Sequence, residues 1–178
     1  INKLRECGSK ISIKGNSISI KGKNIDAVDI DTAPFPGFPT DLQAPFTALM
    51  TIAKGESKIT ETIFENRMNH IDFLNKMGAC IKIDQNTAHI RGVQTLKGMN
   101  LVGSDLRSSA ALIIAAMIAK GTSRIYGLEH LDRGYENFES KLYKLGIEIK
   151  REFDKEIQDD IGLKIDLTKK KTQRLEAA

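Results

Sequence analysis

Two aspartates and two arginines recur at matched places in this sequence, and with Arg107 they are the side chains best suited to chemistry. Asp41 and Asp105 each stand ahead of an apolar run, within Thr40-Asp41-Leu42-Gln43 and Ser104-Asp105-Leu106-Arg107. Arg67 and Arg133 follow the β-prone segment that comes after each run, while Arg107 takes the place that Gln43 has in the first copy. A guanidinium presents paired donors that match a carboxylate or phosphate, which a lysine does not reproduce. A carboxylate such as Asp41 beside that anion site can take a proton from a hydroxyl held about 2.6–3.2 Å away. The set points to transfer chemistry on a small, doubly anionic substrate with an alcohol as acceptor. A plainer reading exists for each group. Asp41 can simply favour a helix dipole, and Arg67, Arg107 and Arg133 can form weak local pairs with Glu65, Asp105 and Asp132. Repetition favours the shared role.

Other chemistries fit less well. The acids lie whole repeats apart, and His70, His89 and His130 have no metal-ligand spacing. Gly8, Gly15 and Gly22 are too dispersed for a phosphate-binding loop. No metal and no cofactor are expected.

The elements that must position these groups come from an internal repeat. The run PTDLQAPFTALMTIAKG aligns with GSDLRSSAALIIAAMIAKG, and each leads into a β-prone segment, 57–63 or 122–128. Each copy then ends in a helix closed by a leucine, three residues and a glycine, Leu74 to Gly78 and Leu142 to Gly146. Leu4 to Gly8 repeats that ending, giving a period close to 70 residues and a first unit without its front. Leu42, Phe46, Leu49, Met50 and Ile52 carry a helical period, with Thr40 and Gln43 as a capping box. Residues 106–119 are small and apolar nearly all round, which predicts an enclosed helix. Alternating residues predict hairpins at 10–14 with 16–20 and at 79–83 with 87–90, and a third that starts at 147–150 and becomes irregular after 152. Short strands are expected at 27–30, 96–102 and 161–167. The first copy carries six extra residues, roughly 33–38, whose prolines brace the approach to Asp41.

The chain of 178 residues, 40% hydrophobic, can bury a core. Ile1 falls in the last turns of an expected helix, so the sequence reads as a piece of a longer protein. Both cysteines suit core positions, Cys7 in the place that Met77 holds in the next unit. No apolar run spans a membrane and no signal pattern occurs, which makes a cytoplasmic protein the default. The net charge of +4 is accounted for by Lys169, Lys170, Lys171 and Arg174 near the end. No nucleic-acid motif accompanies them, so neither nucleic acid nor membrane is expected as a partner. Arg91, without a matching constellation, belongs to the surface.

The runs FPTDLQAPFTALMTIAKG, TETIFENRMNHIDFLNKMGA, SDLRSSAALIIAAMIAKGTS and LDRGYE resemble the C-terminal half of the UDP-N-acetylglucosamine enolpyruvyl transferases. The likeness covers nearly all of 1–151, and the spacing after TETIFENR is similar to the nucleotide-sugar branch rather than the shikimate branch. It implies an α/β fold of repeated βαβαββ units, an inside-out α/β barrel with enclosed helices. It implies transfer of enolpyruvate from phosphoenolpyruvate to the 3-hydroxyl of UDP-N-acetylglucosamine, an early step of peptidoglycan synthesis, by addition and elimination. By motif, Asp41 would be the base and Thr40 would place the sugar, with Ile63 and Phe64 lining the nucleotide-sugar site. Arg67 would lie near the reacting phosphate, Arg107 and Arg133 would grip phosphoenolpyruvate, and Asp105 would be a conformation-sensing acid that orients Arg107. The resemblance assigns a loop cysteine, a lysine-asparagine pair and a further arginine to the other domain, and neither Cys7 nor Cys80 has that loop's context. Residues 1–151 would then form an incomplete C-terminal domain, a partial first unit plus two repeats. Residues 152–178 would form a divergent basic tail with a terminal strand. The chain alone would be inactive without the missing N-terminal domain. The alternatives are the shikimate-pathway transferase and a non-catalytic binding module of the same fold.

Overall fold

The computed structural model describes residues 1–22, 24–153 and 161–166. It opens with α1 (Asn2–Glu6) and the hairpin β1 (Lys10–Lys14) and β2 (Ser17–Lys21). One full unit follows: β3 (Ile30–Asp31), α2 (Gln43–Met50), β4 (Glu56–Thr60), α3 (His70–Lys76), β5 (Cys80–Asp84) and β6 (Thr87–Arg91). The next repeats it as β7 (Asn100–Val102), α4 (Leu106–Ile118), β8 (Thr122–Tyr126), α5 (Glu129–Asp132), α6 (Phe138–Lys144), β9 (Ile149–Phe153) and β10 (Ile161–Asp166).

The two sheets have one topology. Their strand orders are β3-β4-β6-β5 and β7-β8-β10-β9, each with a parallel first pair and antiparallel pairs after it. Half-buried strands such as β4 and β6 turn one face inward and leave the other in solvent. Against the inner faces lie the helices. α2 packs on α4, and α4 also meets α3 and α5. Ala110, Ala111, Leu112, Ile113, Ala115 and Ala116 are all buried, so the apolar run forms the enclosed helix its composition predicts.

Gly8, Gly78 and Gly146 end α1, α3 and α6 with φ of 88°, 98° and 85°, the left-handed closure that glycine adopts without a Cβ penalty. Just before two of them, the Cys7 and Met77 carbonyls accept from Asp26 N–H and Lys97 N–H of the following unit. Both side chains are fully buried, as the repeat predicts. Leu145, third in this series, is 62% exposed. The first hairpin is similarly bare. Its register pairs Ile13 with Ile18 and Ile11 with Ile20, yet Ile13, Ile18 and Ile20 are each more than half exposed. Of the equivalent positions in the next unit, Ala88 and Ile90 are buried, while Ile83, the counterpart of Ile13, is also exposed.

The capping box does not form. The Thr40 hydroxyl donates to Glu61 and its oxygen accepts from Arg67 rather than from a helix N–H, and Gln43 is buried inside α2 with its amide on Thr47. The charged guanidinium of Arg67 takes the Thr40 oxygen that the cap would have used, and the Glu61 carboxylate takes its proton. The strand 57–63 stops at Thr60, and the strand 96–102 is reduced to Asn100–Val102 with a single bridge from Lys97 to Lys120. Glu152 and Phe153 continue β9 rather than an irregular segment, because β10 pairs with it from Ile161↔Phe153 to Ile165↔Ile149. Residues 154–160 and the basic stretch 167–178 lie outside the described residues. No helix among the described residues is long and apolar enough to cross a membrane.

Candidate active site

Both units send the N-terminal end of their central helix toward the same mouth, and the two ends are built differently. Asp105 is extended, with φ −161°, and its Oδ1 accepts from Arg107 N–H at 2.8 Å and Ser108 N–H at 3.0 Å. It is therefore the N-cap of α4. Burial pushes its carboxyl upward, but those two N–H groups, the Ser104 hydroxyl and the Arg107 charge hold it below the usual carboxylate range. Its carboxylate thus orients Arg107 through the backbone.

Asp41 sits in a 3₁₀ turn, Thr40–Leu42, and leaves its side chain 66% exposed. Arg107 Nε donates to Asp41 Oδ1 at 2.5 Å, across 66 residues of sequence, and Arg67 Nη1 stands 3.6 Å from the same oxygen. Arg67 also donates to Thr40 Oγ1 at 3.2 Å and lies over the Phe64 ring, 3.8 Å from its centroid. Ile63 and Phe64 expose apolar surface beside it. The extra loop before Asp41 closes on itself through Ala33 N–H to Phe38 C=O and Gly37 N–H to Pro34 C=O, with a cis Phe35-Pro36 bond between. Phe38 then packs edge-on against Phe46 of α2, ring centroids 5.2 Å apart, which ties the loop to the helix.

Arg133 is held on its own helix. It donates to the Glu129 carbonyl at 3.3 Å and its guanidinium meets His130 Nδ1 at 2.6 Å. The next residue lies against the start of α4, since a Cβ on Gly134 would fall 2.7 Å from the Leu106 methyls. The expected local pairs give way to longer ones. Asp132 pairs with Arg151 of β9 through two bonds of 2.7 and 2.9 Å, and not with Arg133, whose guanidinium is turned to Glu129 C=O and His130.

Two residues that spacing did not single out complete the site. Glu61, 3% exposed, accepts from Thr32, Thr40, Ile63 N–H and Phe64 N–H. Burial pushes its carboxyl upward, and these four donors outweigh that and hold it below the ordinary value. His70, 2% exposed, lines a cavity of about 230 Å³ with Arg67, Arg107, Asp105 and Ser108. Burial lowers its pKa to about 4, against a smaller upward pull from Asp105, so the ring is neutral at pH 7. Period-two alternation along β4 puts Ser57, Ile59 and Glu61 on the inner face, and His70 shares the inward stripe of Ile71 and Leu74. Those were the available signals.

Chemically, an exposed carboxylate between two guanidinium groups can accept a proton while the cations hold an anion. Among the described residues no three His, Cys, Asp or Glu side chains gather as a metal site. The EPSP synthase (3-phosphoshikimate 1-carboxyvinyltransferase) family model matches residues 1–142. The chain belongs to this family. Among EPSP synthase family members, it is 72% identical over 177 residues to the UDP-N-acetylglucosamine 1-carboxyvinyltransferase of Prochlorococcus marinus (strain MIT 9312), covering 99% of this chain and 39% of that protein. It is 76% identical over 156 residues to the protein of the same name from Prochlorococcus marinus subsp. pastoris (strain CCMP1986 / NIES-2087 / MED4), covering 88% of this chain and 34% of that protein. The enolpyruvyl transferase NikO from Streptomyces tendae superposes with a TM-score of 0.74 at 25% identity, over 82% of this chain and 34% of that one. EPSP synthase from Acinetobacter baumannii shares the fold, with a TM-score of 0.65 at 19% identity over 91% of this chain and 38% of that one.

Proposed function

We propose that this chain is the C-terminal part of an enzyme that transfers enolpyruvate from phosphoenolpyruvate to the 3-hydroxyl of UDP-N-acetylglucosamine. The observation that carries the reading is Asp41, exposed at the mouth with Arg107 and Arg67 on one of its oxygens. Asp41 takes the sugar hydroxyl proton as the sugar oxygen bonds to C2 of phosphoenolpyruvate, while C3 takes up a proton and C2 becomes tetrahedral. C3 then gives up a proton as the C2–O bond to phosphate breaks, which restores the double bond and releases inorganic phosphate. Thr40, Ile63 and Phe64 place the nucleotide sugar, and Arg67, Arg107 and Arg133 hold the anionic partner. Asp105 keeps Arg107 at its post. Identity of 72% to a relative named for the nucleotide sugar supports that acceptor over shikimate 3-phosphate.

The reading needs a second part of the protein, since the chain spans 39% of the length of the relative it matches at 72% identity. The bare hairpin and Leu145 support a companion segment that completes the β1–β2 sheet and closes the units into a barrel with enclosed helices. The two repeats and part of a third then extend past residue 151, since β9 ends at Phe153 and β10 closes the second repeat as β6 closes the first. Such an enzyme works in the cytoplasm, at the start of peptidoglycan synthesis, and so serves cell-wall growth, cell shape and division.

Phosphate release from phosphoenolpyruvate with UDP-N-acetylglucosamine tests this in the full-length protein, with shikimate 3-phosphate as the control acceptor. Asp41→Asn is expected to lower kcat by about 100-fold or more. The 178-residue chain by itself is expected to release no phosphate. Near-normal turnover by Asp41→Asn removes the base assignment, and turnover with shikimate 3-phosphate alone reassigns the substrate.

A further inference from the structure

We infer that Glu61 is a positioning residue for this site, whose buried carboxylate locks Thr40 and the Ile63–Phe64 segment into one arrangement and so sets where Asp41 and Arg67 stand. The catalytic half of the inference rests on the transferase reading. A buried carboxylate is costly unless its oxygens are fully bonded. Glu61 is bonded, and each donor lies on a segment that bounds the site. The Asp105 carboxylate holds a single helix start, whereas Glu61 joins separate pieces of chain at Thr32, Thr40 and Ile63–Phe64. Oε1 accepts from Thr32 Oγ1 at 2.8 Å, at the end of β3, and from Ile63 and Phe64 N–H at 2.9 and 3.2 Å. Oε2 accepts from Thr40 Oγ1 at 2.7 Å. Thr40 has one hydroxyl proton, and giving it to Glu61 leaves the oxygen free to accept from Arg67 Nη1 at 3.2 Å. The charge on Glu61 therefore fixes the direction of a relay that runs from Arg67 through Thr40.

The partners of Glu61 explain why a carboxamide cannot replace it. All four are donors toward it, and a glutamine would have to turn its NH₂ either to the two backbone N–H groups and Thr32 or to Thr40. The first choice sets donor against donor. The second reverses the Thr40 hydroxyl, whose proton then points toward the Arg67 guanidinium.

Glu61→Gln tests the inference through two readouts. The first is amide hydrogen exchange at Ile63 and Phe64 in the 178-residue chain, expected to quicken about tenfold or more. The second is kcat of the full-length form, expected to fall about 10- to 100-fold, as a small misplacement of reacting groups does. Added to Thr40→Val, Glu61→Gln is expected to cost less than about threefold further, because its effect runs through Thr40. Unchanged exchange overturns the inference whatever the turnover. Losses that multiply independently, or a normal kcat with only a lower Tm, reduce Glu61 to a structural role and also overturn it. An inactive wild type refutes the transferase reading, while exchange still decides whether Glu61 holds these segments. Should Glu61→Gln not fold, Thr32→Val removes one bond from the far side of Glu61, and unchanged exchange at Ile63 and Phe64 in that variant overturns the inference.

Discussion

Replacing Asp105 by alanine should loosen α4 and displace Arg107 together. The carboxylate satisfies two of the four N–H groups that a helix start leaves without partners, those of Arg107 and Ser108. Loss of a side-chain cap costs about 0.5–2 kcal/mol. The upper half of that range applies here, because α4 is the enclosed helix and Ser108 beside the cap is buried. At roughly 2–4 °C per kcal/mol for a chain of this size, 1–2 kcal/mol lowers Tm by about 2–8 °C. Asp105→Asn keeps the Oδ1 acceptor and should cost only a few tenths of a kcal/mol at pH 7. The pH dependence has a definite sign. The folded Asp105 carboxyl lies below its ordinary value, so its contribution is present above the ordinary carboxylate range and fades as pH falls through the folded value. The gap between wild type and Asp105→Ala should therefore narrow in acid. Urea melts of the three proteins between pH 3 and 8 provide the assay. An asparagine variant as unstable as the alanine variant would mean that charge rather than capping is what matters, and an unaltered alanine variant would refute the cap altogether.

Two further outcomes follow from buried or bridging groups. His70 is depressed from 6.5 to about 4 by burial, so the unfolded chain binds a proton that the folded chain refuses between those values. Stability should fall by roughly 3 kcal/mol as pH drops from 6.5 to 4, and His70→Gln should flatten that stretch of the urea-midpoint profile. The Asp132–Arg151 fork, with both side chains partly exposed, should show a coupling of only about 1 kcal/mol in a double-mutant cycle. Because the Arg151 hydrogen bond holds the Asp132 carboxyl below its ordinary value, this coupling should vanish as pH falls through the acid range and shrink in high salt.

The repeat made much of the molecule legible. Alignment of Asp41 with Asp105 and of Gln43 with Arg107 brought together residues that lie 66 positions apart, and Arg107 indeed reaches Asp41. The αL glycines, the enclosed helix and two hairpins were equally readable, since each depends on local pattern. Side-chain partners were not. Thr40 could bond a helix N–H or a carboxylate, and sequence spacing favoured the former because Glu61 is 21 residues away. Arg133 and Arg151 exchange roles for the same reason, as Asp132 takes the cation that the sheet carries past it.

One duplicated helix start has produced two unlike carboxylates, and the six-residue insertion supplies the cause. In the second unit the chain runs from β7 into α4 through an extended Asp105, a geometry that turns the carboxylate back onto the helix N–H groups. In the first, the closed loop anchored by Phe38 on Phe46 delivers the chain to α2 through a 3₁₀ turn. Leu42, not Asp41, then occupies the N-cap, and no side chain caps α2. Asp41 is thereby spared the structural bond that Asp105 makes, and its carboxylate extends into the mouth within reach of both arginines. A group fully committed to a helix cap has a depressed affinity for protons and no room for a substrate hydroxyl. On the proposed function, the insertion turns a capping position into one from which a carboxylate reaches the mouth, and so favours the acid of the first copy over that of the second as the base.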